Sequence, residues 1–163
     1  MSKNNIVIRE ITTADNEEIA SVIRAVLIEF GVPKVGTAYA DKVLDCMAEN
    51  YSKPTSTYFV IENKGKLIGG AGVAQLDNFE GKVCELQKMY FLPEARGLGL
   101  GRQMMDLCLE RAKSLGFEKC YLETLPYMEA ARELYAKVGF KSLDSRMGDT
   151  GHYSCNLWML KDL

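Results

Sequence analysis

Apolar and polar residues alternate weakly over positions 5–11, which predicts a first strand, and the pattern then changes period. After Thr12, Thr13 and Asp15, the residues Ile19, Val22, Ile23, Val26, Leu27 and Phe30 recur at three- and four-residue intervals. That spacing gathers them on one face of a helix, and the side-chain oxygens ahead of it suit the free amides of a helix start. Gly31 and Pro33 end the pattern. A second helix is predicted over 37–50, with Ala40, Val43, Leu44, Met47 and Tyr51 on one side.

Three strand-like stretches follow at 57–62, 67–76 and 82–92, parted by Asn63-Lys64-Gly65-Lys66 and Asp77-Asn78-Phe79-Glu80-Gly81. Turn-rich gaps this short join antiparallel neighbours. The helical period then returns: Leu100, Met104, Leu107, Cys108, Ala112 and Leu115 mark a helix over 98–115, stopped by Gly116. Positions 119–124 read as a short strand, and Ala131, Leu134, Tyr135 and Val138 as a helix stopped by Gly139. Strand patterns at 140–145 and 152–160 close the chain. The helix over 98–115 must cross the sheet, so the strands on either side of it are expected to be parallel neighbours. The fold class is therefore α/β (α+β), a mixed sheet flanked by helices, and 163 residues suit a single domain over 1–163.

Composition narrows the function. Hydrophobic residues at 47% and charged residues at 26% are ordinary for a globular protein and exclude a disordered or fibrous chain. A net charge of -2, with scattered Lys and Arg, gives no footprint for nucleic acid or an anionic membrane. No run of 18 apolar residues is present, and the first eleven positions lack the apolar stretch of a signal peptide. Five cysteines (Cys46, Cys84, Cys108, Cys120 and Cys155) are widely spaced, without a C-x-x-C pair for a metal or redox site. A cytoplasmic protein without metal is expected.

The strongest local signal is Arg96-Gly97-Leu98-Gly99-Leu100-Gly101, directly after a strand and directly before an amphipathic helix. Glycines let the backbone approach a ligand, while the free amides and dipole of the helix start favour an anion, to which Arg96 or Arg102 can add charge. A phosphate or pyrophosphate is the natural guest; glycines serving only a tight turn are the plain alternative. A Walker loop requires Gly-Lys-Ser/Thr, which is absent, and a dinucleotide fingerprint requires another glycine spacing.

With this turn in place the sequence resembles the GCN5-related N-acetyltransferase (GNAT) superfamily, whose pyrophosphate signature is Gln/Arg-x-x-Gly-x-Gly/Ala at a strand-to-helix junction. The segment Glu85-Leu86-Gln87-Lys88-Met89-Tyr90-Phe91-Leu92-Pro93 looks like the family's fourth strand and its proline. Leu122-Glu123-Thr124 looks like its fifth strand, and Ala131-x-x-Leu134-Tyr135-x-Lys137-x-Gly139-Phe140 like its fourth helix and sixth-strand entry. The specific part covers about residues 82–141. Met128 departs from the pattern, standing where many relatives carry an Asn that contacts the pantetheine or the substrate amide.

The resemblance implies an acyl-CoA N-acyltransferase fold: a mostly antiparallel sheet of about seven strands, with a splayed parallel pair (strands 4 and 5) and about four helices. It implies acetyl-CoA as cosubstrate, with Met89, Tyr90 and Phe91 offering backbone groups to the pantetheine. Arg96, Gly97, Leu98, Gly99, Leu100, Gly101 and Arg102 would hold the pyrophosphate. Acetyl would pass to a primary amine of a small molecule or peptide by direct attack through a tetrahedral intermediate. Tyr135 matches the family's Tyr near the sulfur and would protonate the thiolate, although it also fits an apolar stripe. Glu85, with Val83 and Gln87 on its face, is the first candidate for the base, and Glu123 the second; either can equally be a structural strand acid.

His152, the only histidine, and Cys155 are lesser candidates for base and nucleophile. The acceptor is expected between 31–51, with Tyr39 and Asp41, and 147–153, and pairing into a homodimer is a further expectation of the resemblance. A CoA-binding module without catalysis and a nucleotide-dependent oxidoreductase are the alternative readings.

Overall fold

In the computed structural model, which describes residues 5–163, the alternating stretches become seven strands: β1 (Ile6–Glu10), β2 (Thr57–Asn63), β3 (Lys66–Gln75), β4 (Val83–Phe91), β5 (Lys119–Thr124), β6 (Lys141–Leu143) and β7 (Leu157–Asp162). Residues 1–4, which enter the signal-peptide expectation, lie outside the described residues. The strands form one sheet of order β1-β2-β3-β4-β5-β7-β6. All neighbours are antiparallel except β4 and β5, which run parallel. The helices are α1 (Asn16–Glu29), α2 (Met47–Asn50), α3 (Leu100–Ser114) and α4 (Glu129–Val138), and α3 makes the crossover between the parallel pair. The acyltransferase architecture expected from the sequence is the one observed.

Side-chain alternation sorts the core onto the two faces of the sheet. In β2, Phe59 and Ile61 face Met104, Met105 and Cys108 of α3 and Tyr135 of α4, whereas Tyr58 and Val60 face Ile19, Ile23 and Leu27 of α1. Full burial of a side chain such as Ile19 or Leu27 contributes roughly 1.5–3 kcal/mol. A third cluster joins Leu76, Val83 and Tyr121 to Trp158, whose ring lies under Arg146 at 5.7 Å.

Two expected elements differ. The helix over 37–50 is broken into 3-10 turns, Ala38–Ala40 and Lys42–Cys46, followed by the single turn of α2. Asp41 between the turns is extended (φ -63°, ψ 121°), since its carboxylate is drawn inward to His152 and Lys88. Asn16 restarts the helix by accepting from the Ala48 amide at 2.9 Å. The last strand begins at Leu157 rather than 152, because the residues before it turn toward the N-terminal half. There the Ser154 amide donates to the Gly36 carbonyl at 2.9 Å and its hydroxyl to the Val35 carbonyl at 2.8 Å. Among the described residues no helix is long and apolar enough to cross a membrane.

Candidate active site

The parallel pair comes apart. Val83, Cys84 and Glu85 pair with Lys119, Cys120 and Tyr121, and pairing then stops although β4 runs on to Phe91 and β5 to Thr124. The cause is a bulge in β4. Gly72 pairs with Gln87 and Gly70 with Tyr90, so Lys88 and Met89 together oppose Ala71. Lys88 takes up the irregularity with φ +50°, a left-handed conformation that costs a residue with a side chain about 1–3 kcal/mol. The Tyr58 hydroxyl holds it there, donating to the Lys88 carbonyl at 2.7 Å.

Between the parted strands lies a cleft of about 270 Å³, walled by Met89, Phe91, Leu122, Met128, Leu134 and Tyr135 among others. Its mouth is the glycine turn. Gly97 and Gly99 have φ +76° and +77°, and a Cβ on either would meet nothing within 4 Å, so backbone conformation rather than crowding asks for glycine. Gly99 caps α3 and accepts from the Gln103 amide at 3.2 Å, leaving the amides of Leu100, Gly101 and Arg102 ahead of the first helical hydrogen bond. At Gly101 a Cβ would lie 3.1 Å from Leu134 and 3.4 Å from Phe91, so this glycine lets α3 sit close to α4.

The two cationic side chains of the turn have partners of their own. Arg96 lines the cleft, but its guanidinium makes two 2.8 Å bonds to Glu29 and donates to the Phe91 carbonyl at 2.9 Å. Exposed Arg102 reaches Asp106 at 3.1 Å.

Of the candidate catalytic residues, Tyr135 and Glu123 line the cleft and Glu85 does not. Tyr135 is buried edge-on to Phe140 at 6.1 Å between ring centres, and burial pushes its hydroxyl up to about 12. Glu123 accepts from the Tyr121 hydroxyl at 2.7 Å and from the Thr150 hydroxyl. Glu85, 4% exposed, is the last paired residue before the strands part. Its carboxylate accepts from the Gln87 amide at 2.6 Å, and the Tyr51 hydroxyl donates to the Gln87 oxygen at 2.6 Å. Burial pushes the Glu85 carboxyl up to about 7.

Asp41, in the region where the acceptor was expected, is paired with His152 Nε2 at 2.8 Å and the Lys88 ammonium at 3.3 Å. Burial opposes the charge on both Asp41 and His152; the hydrogen bond between them, with Lys88 beside Asp41, prevails, so Asp41 is shifted down and His152 up. Cys155 lines the cleft with its thiol pushed up to about 12 by burial, which leaves it poorly nucleophilic. Gln87 was expected on the face of Glu85, but Lys88 and Thr150 were not singled out by sequence; the run Gly69-Gly70-Ala71-Gly72 inside a strand was the available sign of a bulge opposite. Among the described residues no cluster of three or more His, Cys, Asp or Glu could hold a metal ion.

Comparison with known proteins assigns this geometry to a family. The acetyltransferase (GNAT) family profile matches residues 17–140. The chain belongs to that family. Membership makes it an acyltransferase.

Among GNAT relatives, the uncharacterized N-acetyltransferase YjgM of Escherichia coli (strain K12) is 43% identical over 96% of this chain and 95% of its own length. A GNAT-family acetyltransferase of Staphylococcus aureus Mu50 has the same fold, with a TM-score of 0.85, 22% identity, and coverage of 96% of this chain and 98% of that one. The phosphinothricin acetyltransferase of Sinorhizobium meliloti, solved in complex with acetyl-CoA, superposes with a TM-score of 0.76 at 18% identity, covering 98% of this chain and 89% of its own.

Proposed function

We propose that the protein transfers acetyl from acetyl-CoA to a primary amine of a small molecule or peptide. The observation that carries the reading is one continuous cleft that begins at the glycine-lined start of α3 and ends beside Tyr135 and Glu123 between parted strands. The free amides of Leu100, Gly101 and Arg102 suit a pyrophosphate, and the open space beside Gly97 and Gly99 leaves the backbone approachable. Arg96 and Leu98 complete that end, and Arg102 needs only to leave an exposed ion pair, which is worth little. Met89, Tyr90 and Phe91 offer backbone groups to the pantetheine on the β4 edge that β5 has left. A relative of the same fold solved with acetyl-CoA supports this guest.

At the inner end a neutral amine attacks the thioester carbonyl directly, through a tetrahedral intermediate. Tyr135 remains protonated at neutral pH and donates to the departing thiolate. Glu123 meets the amine first, and Glu85, titrating near neutrality, takes the proton through water. The five cysteines, all unpaired, fit a cytoplasmic setting.

The test is thermal unfolding with acetyl-CoA, CoA, NAD and ATP, followed by amine screening for thiol release. A midpoint rise with the CoA species alone, and release with an amine, is expected. A rise with NAD or ATP instead favours a nucleotide enzyme, and CoA binding without release for any amine favours a non-catalytic module.

A further inference from the structure

We propose that Lys88 forms an anion subsite beside the reacting centre and that the acceptor is an amino acid, its amine turned to β5 and its carboxylate to β4. The proposal rests on the acetyl-transfer reading above.

Lys88 lines the cleft at the bulge, and its side chain is only 7% exposed. An ammonium has three donors, yet among the described residues its one ion pair is the 3.3 Å contact with Asp41. Asp41 is itself shared with His152, so a single carboxylate serves two basic groups. The acid nearest along β4, Glu85, makes no ion pair with Lys88, and one of its oxygens is already taken by Gln87. A buried cation this sparsely partnered is unfavourable unless a ligand supplies an acceptor.

The opposite wall carries the complementary charge. Lys88 of β4 and Glu123 of β5 both line the cleft between the parted strands. A small molecule between them meets a cation from β4 and an acid from β5. An amino acid satisfies both, whereas a diamine brings a second positive charge toward Lys88.

The experiment is thiol release from acetyl-CoA with the twenty common amino acids, each paired with the amine left by removing its carboxylate. For the best amino acid, kcat/KM should exceed that of its decarboxylated partner by about 30-fold, as for a charge-assisted hydrogen bond. Lys88→Met should raise KM for that amino acid by a similar factor, change KM for the bare amine less than threefold, and leave calorimetric acetyl-CoA affinity unaltered. Equal or faster release with bare amines, release with no amino acid at all, or an undiminished preference in the variant would each overturn the proposal. The wild-type comparison stands whether or not the variant folds. Failure of the wild type to bind acetyl-CoA would instead remove the underlying reading.

Discussion

Tyr135 is the one buried residue of α4, and its phenol is kept protonated by an apolar setting. Tyr135→Phe keeps the packing and removes the proton, so turnover should fall about 100-fold while acetyl-CoA affinity stays within about twofold, read by single-turnover kinetics and calorimetry. Glu85 makes a prediction about stability. Its folded pKa, about 7, lies above the ordinary 4.5. Below the lower value the carboxyl is protonated in both states and costs nothing. Between the two the unfolded chain loses the proton first, so stability falls as pH rises and the full cost, about 3 kcal/mol, is present above pH 7. Glu85→Gln should therefore raise the unfolding midpoint at pH 8 and barely move it at pH 5. Period-two alternation made it legible that Gln87 shares a face with Glu85. It could not show that Lys88 lines the cleft, because alternation fails at the bulge that turns it.

At the level of elements, the turn before α3 has little freedom to vary. A side chain at Gly99 meets no steric wall but needs a left-handed backbone, and a carboxylate there opposes an anion. Gly99→Glu should keep the fold and weaken acetyl-CoA binding by at least about 100-fold in calorimetry. This turn, the α3 stripe and the short β5 were legible because local chemistry alone decides them. Residues 37–50 were not, since their helical spacing is overridden at Asp41 by partners on β4 and beyond β6. Distant partners also shortened the last strand: Ser154 bonds to Val35 and Gly36 instead of extending β7.

Across the whole molecule, the sheet separates the α3 and α4 core from the α1 core, and the parted strands leave a wedge between them. Filling it should be visible in global stability. At ligand concentrations 100-fold above Kd the gain is about 2.7 kcal/mol, which for a chain of this size raises the midpoint by roughly 5–10 °C. The antiparallel meander and the parallel pair followed from gap lengths and one obligatory crossover, whereas the insertion of β7 between β5 and β6 was not read from residue pattern. The polar layer around Glu85 was not, because it gathers side chains from strands and loops far apart in the chain.

That distance sets an order of assembly. The glycine turn and the parted strands come from one stretch, residues 83–138, whereas the wall around Asp41 is closed by bonds spanning 111 positions from Asp41 to His152 and 119 from Val35 to Ser154. Closing so long a loop carries a large entropic cost before any contact offsets it, so such pairings form late. If the proposed function holds, a refolding chain should regain its grip on acetyl-CoA first and its discrimination among acceptors afterwards, as residues 35–41 meet 152–154.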